Sequence, residues 1–418
     1  MSKQVNTFLV YCLMLCITFE EMFGRMKWSL SSVKYVLILV LTVMIYFNHR
    51  KKKQIYMPKE IYFFCIMMVV YLVLSVFDFL RFGFAGLNFW KGFCYLPLFV
   101  YIFLNTNLIC TLNSTDLIRI FINCMVLYCI FNFLLFFIDV PIWKASSKYW
   151  GRIGVGYSTI DTVTMSLTLV LLWFYDRLNY RFYYRLFASV LIILSILGLA
   201  SGTGIVCLFI VFVAAIFYSF KGTKHINTSY SKKTKKIILS SILFIIFSFS
   251  SIVLWLQNYD YDLFQNINIQ FENRLNILLQ QENKSVLDRN TMEQRDWRLQ
   301  NALSKDFTSQ VFGDGFGRLT NEPIDISVGS THYFLESLYH VFRKSMGWFG
   351  TLWFYAILFA LLIKSFQMKH SMKYVYIPFL AMCISSSFTS VNLCSVGIAG
   401  ALGLVVADLN LMNKTLKA

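Results

Sequence analysis

Residues 257–298 read QNYDYDLFQNINIQFENRLNILLQQENKSVLDRNTMEQRDWR and open the one long water-compatible stretch of the chain, which continues to Ser345. Apolar sequence lies on both sides of it. Within the stretch, Phe264, Ile267, Phe271, Leu275 and Leu278 recur at helical spacing, which predicts an amphipathic helix lying on a membrane or on neighbouring spans. Further helical pattern covers 291–303 and runs from His332 to about Arg343. A glycine-rich turn, Gly313-Asp-Gly-Phe-Gly317, falls between them.

The flanking sequence decides the class. Of the 418 residues, 57% are hydrophobic and 14% charged, and a soluble core of this length could not hide so much apolar side chain. A helix needs about 20 apolar residues to cross a bilayer, which predicts about twelve spans. Their centres fall near Met14, Leu39, Met68, Val100, Cys129, Leu167, Ile193, Ile210, Phe244, Trp353, Met382 and Gly400. The expected fold is an all-α polytopic membrane protein with one large, partly helical external loop. Residues 1–256 would hold about nine spans, 257–345 the loop and 346–418 about three more. The first apolar run lacks a small-residue cleavage site and leads into Glu20 and Glu21, so it reads as a retained span. None of the ten cysteines lies in the loop, which argues against a disulfide framework or a CxxC metal site there.

The formal charge of +17 does not point to nucleic acid here, because the cations gather in short loops between spans. With a cytoplasmic N-terminus, the inner segments carry Arg50–Lys53, Arg177 to Arg185, Lys221 to Lys236 and Lys364 to Lys373, with Lys414 and Lys417 in the tail. The short outer segments carry fewer: Arg25 and Lys27, Arg81, then Lys144, Lys148 and Arg152. Only Arg25 and Lys27 run mildly against the positive-inside rule. Both termini are therefore expected in the cytoplasm, with 257–345 outside.

Polar residues able to do chemistry concentrate in that loop. His332, Glu336 and His340 form an H-x3-E-x3-H pattern that one helix would place on a single face. Imidazole titrates near neutrality, so His332 is the candidate general base or hydrogen-bond donor, with Glu336 beside it and His340 expected to be solvated. No third ligand cluster accompanies the histidines, so no metal is expected. Arg295 and Arg298 share a helical face around Trp297, and guanidinium forks suit a pyrophosphate; salt bridges to Asp288, Glu293 and Asp296 are the plainer use. Arg318 follows the glycine turn, and the amides of Gly313 and Gly315 could meet an anion. Asp161 lies about one turn inside the sixth span, at a depth where ionisable groups are functional or paired, with Arg152 just outside as a candidate partner. Arg81 and Lys91 flank the third and fourth spans on the outer side.

The order of these pieces resembles the bacterial O-antigen polymerase and O-antigen ligase superfamily. The residues that carry the resemblance are Arg295-Asp-Trp-Arg298, Ala302-Leu303, Val311-Phe-Gly-Asp-Gly-Phe-Gly317, Thr331-His-Tyr-Phe-Leu335 and Gly347-Trp-Phe-Gly350. The topology matches over the whole chain, the motifs over about sixty residues. An arginine that the family often has at the turn Ser201-Gly202-Thr203 is missing, and the spacing from His332 to Gly347 is long. The resemblance implies a metal-independent glycosyltransferase without cofactor, acting at the outer face of the bacterial inner membrane on undecaprenyl-pyrophosphate-linked oligosaccharide. Among its implications are a chain-length regulator and a flippase as partners. The favoured expectation is the polymerase that joins repeat units. The ligase that transfers glycan to lipid A–core, and a lipid-linked oligosaccharide flippase, are the alternatives. Roles follow likewise: catalytic His332, Arg295 and Arg298; substrate-binding Arg152, Asp161, Arg318, Arg81, Lys91, Gly313, Gly315 and Glu336.

Overall fold

The computed structural model describes residues 3–19, 33–52, 57–82, 87–137, 158–199, 202–222, 306–316, 337–368, 372–388 and 395–415, with isolated positions 257 and 265. Every regular element among the described residues is helical. In chain order these are α1 (Lys3–Thr18), α2 (Val33–Lys52), α3 (Lys59–Phe82), α4 (Leu87–Asn105), α5 (Ser114–Phe137) and α6 (Ser158–Phe174). There follow α7 (Phe182–Gly198), α8 (Gly202–Gly222), a short α9 (Phe307–Phe312), α10 (Leu338–Phe366), α11 (Lys373–Ser387) and α12 (Val396–Thr415). Each predicted span centre falls on one of these helices except Phe244, which lies outside the described residues.

Three described helices are long and apolar enough to cross a membrane, over Lys59–Phe77, Ser114–Leu134 and Leu338–Phe366, and seven shorter apolar helices accompany them. That is consistent with a membrane protein. Large apolar side chains such as Phe8, Leu39, Phe63, Phe77 and Phe209 face outward, as lipid permits and water would not. The predicted helix over 291–303 and the amphipathic pattern of 264–278 lie outside the described residues.

The chain divides into two compact units. The first comprises Met1–Ile120, Val286–Lys369 and Cys383–Ala418. At its centre α4 packs against α2, α3 and α12, while α1 packs on α2 and α12 and α10 lies along α3. Glycines let these helices close up: a β-carbon on Gly403 would stand 2.7 Å from Phe99 Cβ, and one on Gly400 2.7 Å from Ile17 Cγ2. Between helices in lipid, such close contact supplies the attraction that water supplies elsewhere. α5 begins with a reciprocal cap, in which the Asn113 amide donates to Asp116 and the Asp116 amide to Asn113.

α3 and α10 run antiparallel. Their contacts go from Tyr71 beside Gly350, through Phe64 against Phe354 with ring centroids 6.2 Å apart, to Lys364 Nζ at 3.1 Å from Glu60 Oε1. Lys364 also donates to Asn410 Oδ1 on α12 at 2.7 Å, so one cation ties three helices at that end. At 1.5 Å per residue, the polar cluster around Tyr71 lies about 16 Å away along α3 from this clamp.

The second unit comprises Phe121–Ser285 and His370–Met382, and in it α6 packs against α7 and α8. Trp173 donates to Ser189 at 2.7 Å, and Tyr180 and Tyr184 both donate to Asn123 Oδ1.

Candidate functional site

The site grows from a break in α10. Gly347 has φ 61° and ψ −163° inside an otherwise helical run, a combination open essentially to glycine alone. Breaking a helix releases the carbonyls of the turn before the break, and in an apolar setting each needs a donor. Segments distant in sequence supply them. The Asp314 amide donates to Lys344 O at 2.7 Å and the Gly315 amide to Ser345 O at 3.1 Å. Tyr71 of α3 donates its hydroxyl to Met346 O at 2.9 Å. A β-carbon on Gly350 would stand 2.7 Å from that same Tyr71 oxygen, so one phenol lies against both sides of the break.

α9 delivers the glycine turn to this place. Asp306 caps it by accepting from the Ser309 amide at 3.1 Å. Gly313 ends it with φ 86°, its amide donating to Ser309 O at 2.8 Å. A β-carbon on Gly313 would overlap the Ser345 carbonyl, and one on Gly347 would overlap Val311 O and the Gly313 nitrogen. Two glycines therefore let two backbones touch. Phe316 anchors the turn: its amide donates to the buried Ser75 hydroxyl at 3.1 Å, and its buried ring packs 6.3 Å from Phe93. Phe93 stacks on Phe342 at 4.8 Å, and Phe342 lies 4.6 Å from Phe354. Arg343, which is buried, covers the Trp348 ring at 3.7 Å and donates to Gln310 O at 3.3 Å, clamping α9 onto α10.

This arrangement leaves a cavity of about 220 Å³ lined by Tyr71, Leu74, Ser309, Phe312, Gly313, Asp314, Gly315 and Ser345. Among the described residues, the lining holds one carboxylate, the Tyr71 hydroxyl and two serine hydroxyls.

The structure corrects three expectations. The amides of 313–316 do not form an anion cradle, because each already donates within the chain: to Ser309 O, Lys344 O, Ser345 O and Ser75. Gly313 and Gly315 line the cavity, but what glycine gives at 313 is close backbone approach. Second, the helix predicted from His332 to about Arg343 begins later than expected. Ser337 is extended, with φ −120° and ψ 148°, and its side chain accepts from the His340 amide, so the helix starts at Leu338. Third, His340 is 7% exposed rather than solvated, with Nδ1 at 2.7 Å from Ser337 Oγ and its ring 5.6 Å from that of Tyr339.

The other sequence candidates are placed less fully. Arg81 lies on α3, Lys91 on α4 and Asp161 on α6, with their side chains outside the described set. His332, Arg295, Arg298, Arg152, Arg318 and Glu336 lie outside the described residues. Sequence reasoning passed over Tyr71, Ser75, Ser345 and Asp314. The first three are ordinary polar interruptions of apolar runs, with no local signal. Asp314 stood in plain view inside the glycine turn. No protein-family model and no curated protein matches the chain.

Proposed function

We propose that this chain is a polymerase of bacterial surface polysaccharide, joining undecaprenyl-pyrophosphate-linked repeat units at the outer face of the inner membrane. The observation that carries the reading is the meeting of two motif pieces some thirty residues apart. Val311–Phe316 and Gly347–Gly350, both part of the sequence resemblance, interlock backbone to backbone beside a polar cavity on membrane-length helices. Both termini are cytoplasmic in this reading, about twelve spans cross the bilayer, and 257–345 faces outward.

In the reaction, an acceptor hydroxyl attacks the anomeric carbon of the donor sugar. A new C–O bond forms, the bond to pyrophosphate breaks, and the lipid pyrophosphate departs with the electron pair. His332 takes the proton of the attacking hydroxyl, a role typically worth about 100- to 10,000-fold. Arg295 and Arg298 hold the pyrophosphate as its charge develops. Membrane anchoring of both substrates supplies proximity without a deep soluble domain. No metal or cofactor enters this scheme.

The test is in cells. Arg295→Ala or Arg298→Ala is expected to abolish long surface polymer and accumulate single repeats at normal protein level, with lysine restoring little because a bidentate contact is lost. Normal ladders from the double alanine variant would remove pyrophosphate binding from these arginines. Loss of glycan only from lipid A–core, with polymer still made, would favour the ligase.

A further inference from the structure

The outward apolar face of α10 continues onto α9. We propose that α9 is a membrane-interface anchor. Phe307 and Phe312, with Trp348 and Phe349 of α10, rest in bilayer lipid at the boundary between acyl chains and headgroups, and hold the glycine turn at that depth. The inference goes beyond the polymerase reading and does not rest on it.

The length of the stripe on α10 sets the depth. Phe349, Leu352, Phe359, Ile363 and Phe366 are all exposed, and their spacing puts them on one face of the helix. At 1.5 Å per residue the stripe from Phe349 to Phe366 is about 26 Å long, close to a hydrocarbon layer of about 30 Å. Phe366 follows Lys364, whose bonds to Glu60 and Asn410 mark one end of the stripe with polar groups. Phe349 therefore stands near the opposite boundary of the layer, where aromatic side chains gather at membrane surfaces. Lipid is favoured because the stripe matches the layer in length, which apolar character alone would not decide.

α9 joins the stripe at that boundary. The ring centroids of Phe312 and Phe349 are 6.0 Å apart, and those of Phe349 and Trp353 5.6 Å. Phe307 is 78% exposed and Phe312 49%, apolar surface that water disfavours and lipid accepts. α9 takes its depth from α10, because the Asp314–Lys344, Gly315–Ser345 and Arg343–Gln310 bonds tie the two together. Its backbone suits a place with little water: Asp306 accepts from the Ser309 and Gln310 amides, and the Gly313 amide donates to Ser309 O. Asp306 is exposed and charged at the start of α9, which keeps the helix at the interface and out of the acyl core.

The experiment uses the full chain in nanodiscs of phosphatidylethanolamine and phosphatidylglycerol, with a nitroxide spin label on Phe307→Cys. Phe307 is exposed, so the substitution leaves the packing alone. The unmutated chain, taken through the same labelling, gives the signal of the native cysteines for subtraction. Power saturation then compares collisions with oxygen, which concentrates in lipid, and with a water-soluble nickel chelate. Phe359→Cys, also exposed and near the middle of the stripe, is the acyl-chain reference. The label at 307 should meet oxygen more often than nickel, with a ratio below that at 359. A label that meets nickel more often would put α9 in water and overturn the proposal. One shielded from both would show a protein cover, either a second copy or a segment of this chain, and would overturn the lipid assignment. A ratio equal to that at 359 would sink α9 into the acyl core and overturn the interfacial depth. No glycan enters the measurement, so its failure and the failure of the polymerase reading are separate results.

Discussion

Gly347→Ala is the perturbation that asks most of the break in α10. The position has φ 61° and ψ −163°, where a side chain costs about 1–3 kcal/mol of backbone strain. The added methyl would also overlap Val311 O and the Gly313 nitrogen, which are backbone atoms without rotamers to swing aside. Relief requires α9 and its turn to lift from α10, losing the Asp314–Lys344 and Gly315–Ser345 hydrogen bonds, worth about 0.5–1.5 kcal/mol each. Together these make about 2–6 kcal/mol of local destabilisation. The apolar runs of the other helices are unaltered, so membrane insertion should persist. Amide hydrogen exchange on the purified chain reads the effect directly. Exchange at Asp314 and Gly315 should accelerate at least about 30-fold, at one decade per 1.4 kcal/mol. Leu352→Ala, on the exposed face of the same helix, should leave these amides slow. Unchanged protection in Gly347→Ala would refute the claim that the two backbones hold each other.

Tyr71→Phe removes the hydroxyl that donates to Met346 O, which should cost about 1–3 kcal/mol; an unaltered thermal midpoint in detergent would contradict the role of this bond. His340→Ala should lower stability and not behave as a silent surface change, because the ring is buried and bonded to Ser337. A melting curve that overlays wild type would return His340 to the solvated role. A reporter active only outside the cytoplasm should give signal when fused at Asn290 and none at Lys233, and the reverse pattern would invert the topology.

What could be read in advance follows from the range of the interaction concerned. Apolar runs of span length announce themselves, so centres such as Met68, Val100 and Leu167 fall on α3, α4 and α6. A helix start needs only a few neighbours, yet Ser337 was overridden by the i, i+4 spacing of His332, Glu336 and His340, which looks continuous in one dimension. The glycine turn was recognised and its use mistaken. Isolated Gly-Asp-Gly-Phe amides look available to a ligand, and only the fold brings Lys344 and Ser345 carbonyls to them from thirty residues away. Burial of His340 and Arg343 was invisible for the same reason: their residue types say surface, while Ser337, Trp348 and Gln310 give them partners inside.

The central claim is that this chain joins lipid-linked repeats, and purified protein tests it most directly. Full-length chain in nanodiscs, given undecaprenyl-pyrophosphate-linked repeats and no nucleotide sugar, should yield a ladder of lengthening glycans on a sugar-stained gel, with one lipid pyrophosphate released per bond formed. The ladder should persist under chelator and vanish in His332→Ala. Repeats that remain single, or that cross a vesicle bilayer without being joined, would contradict the account.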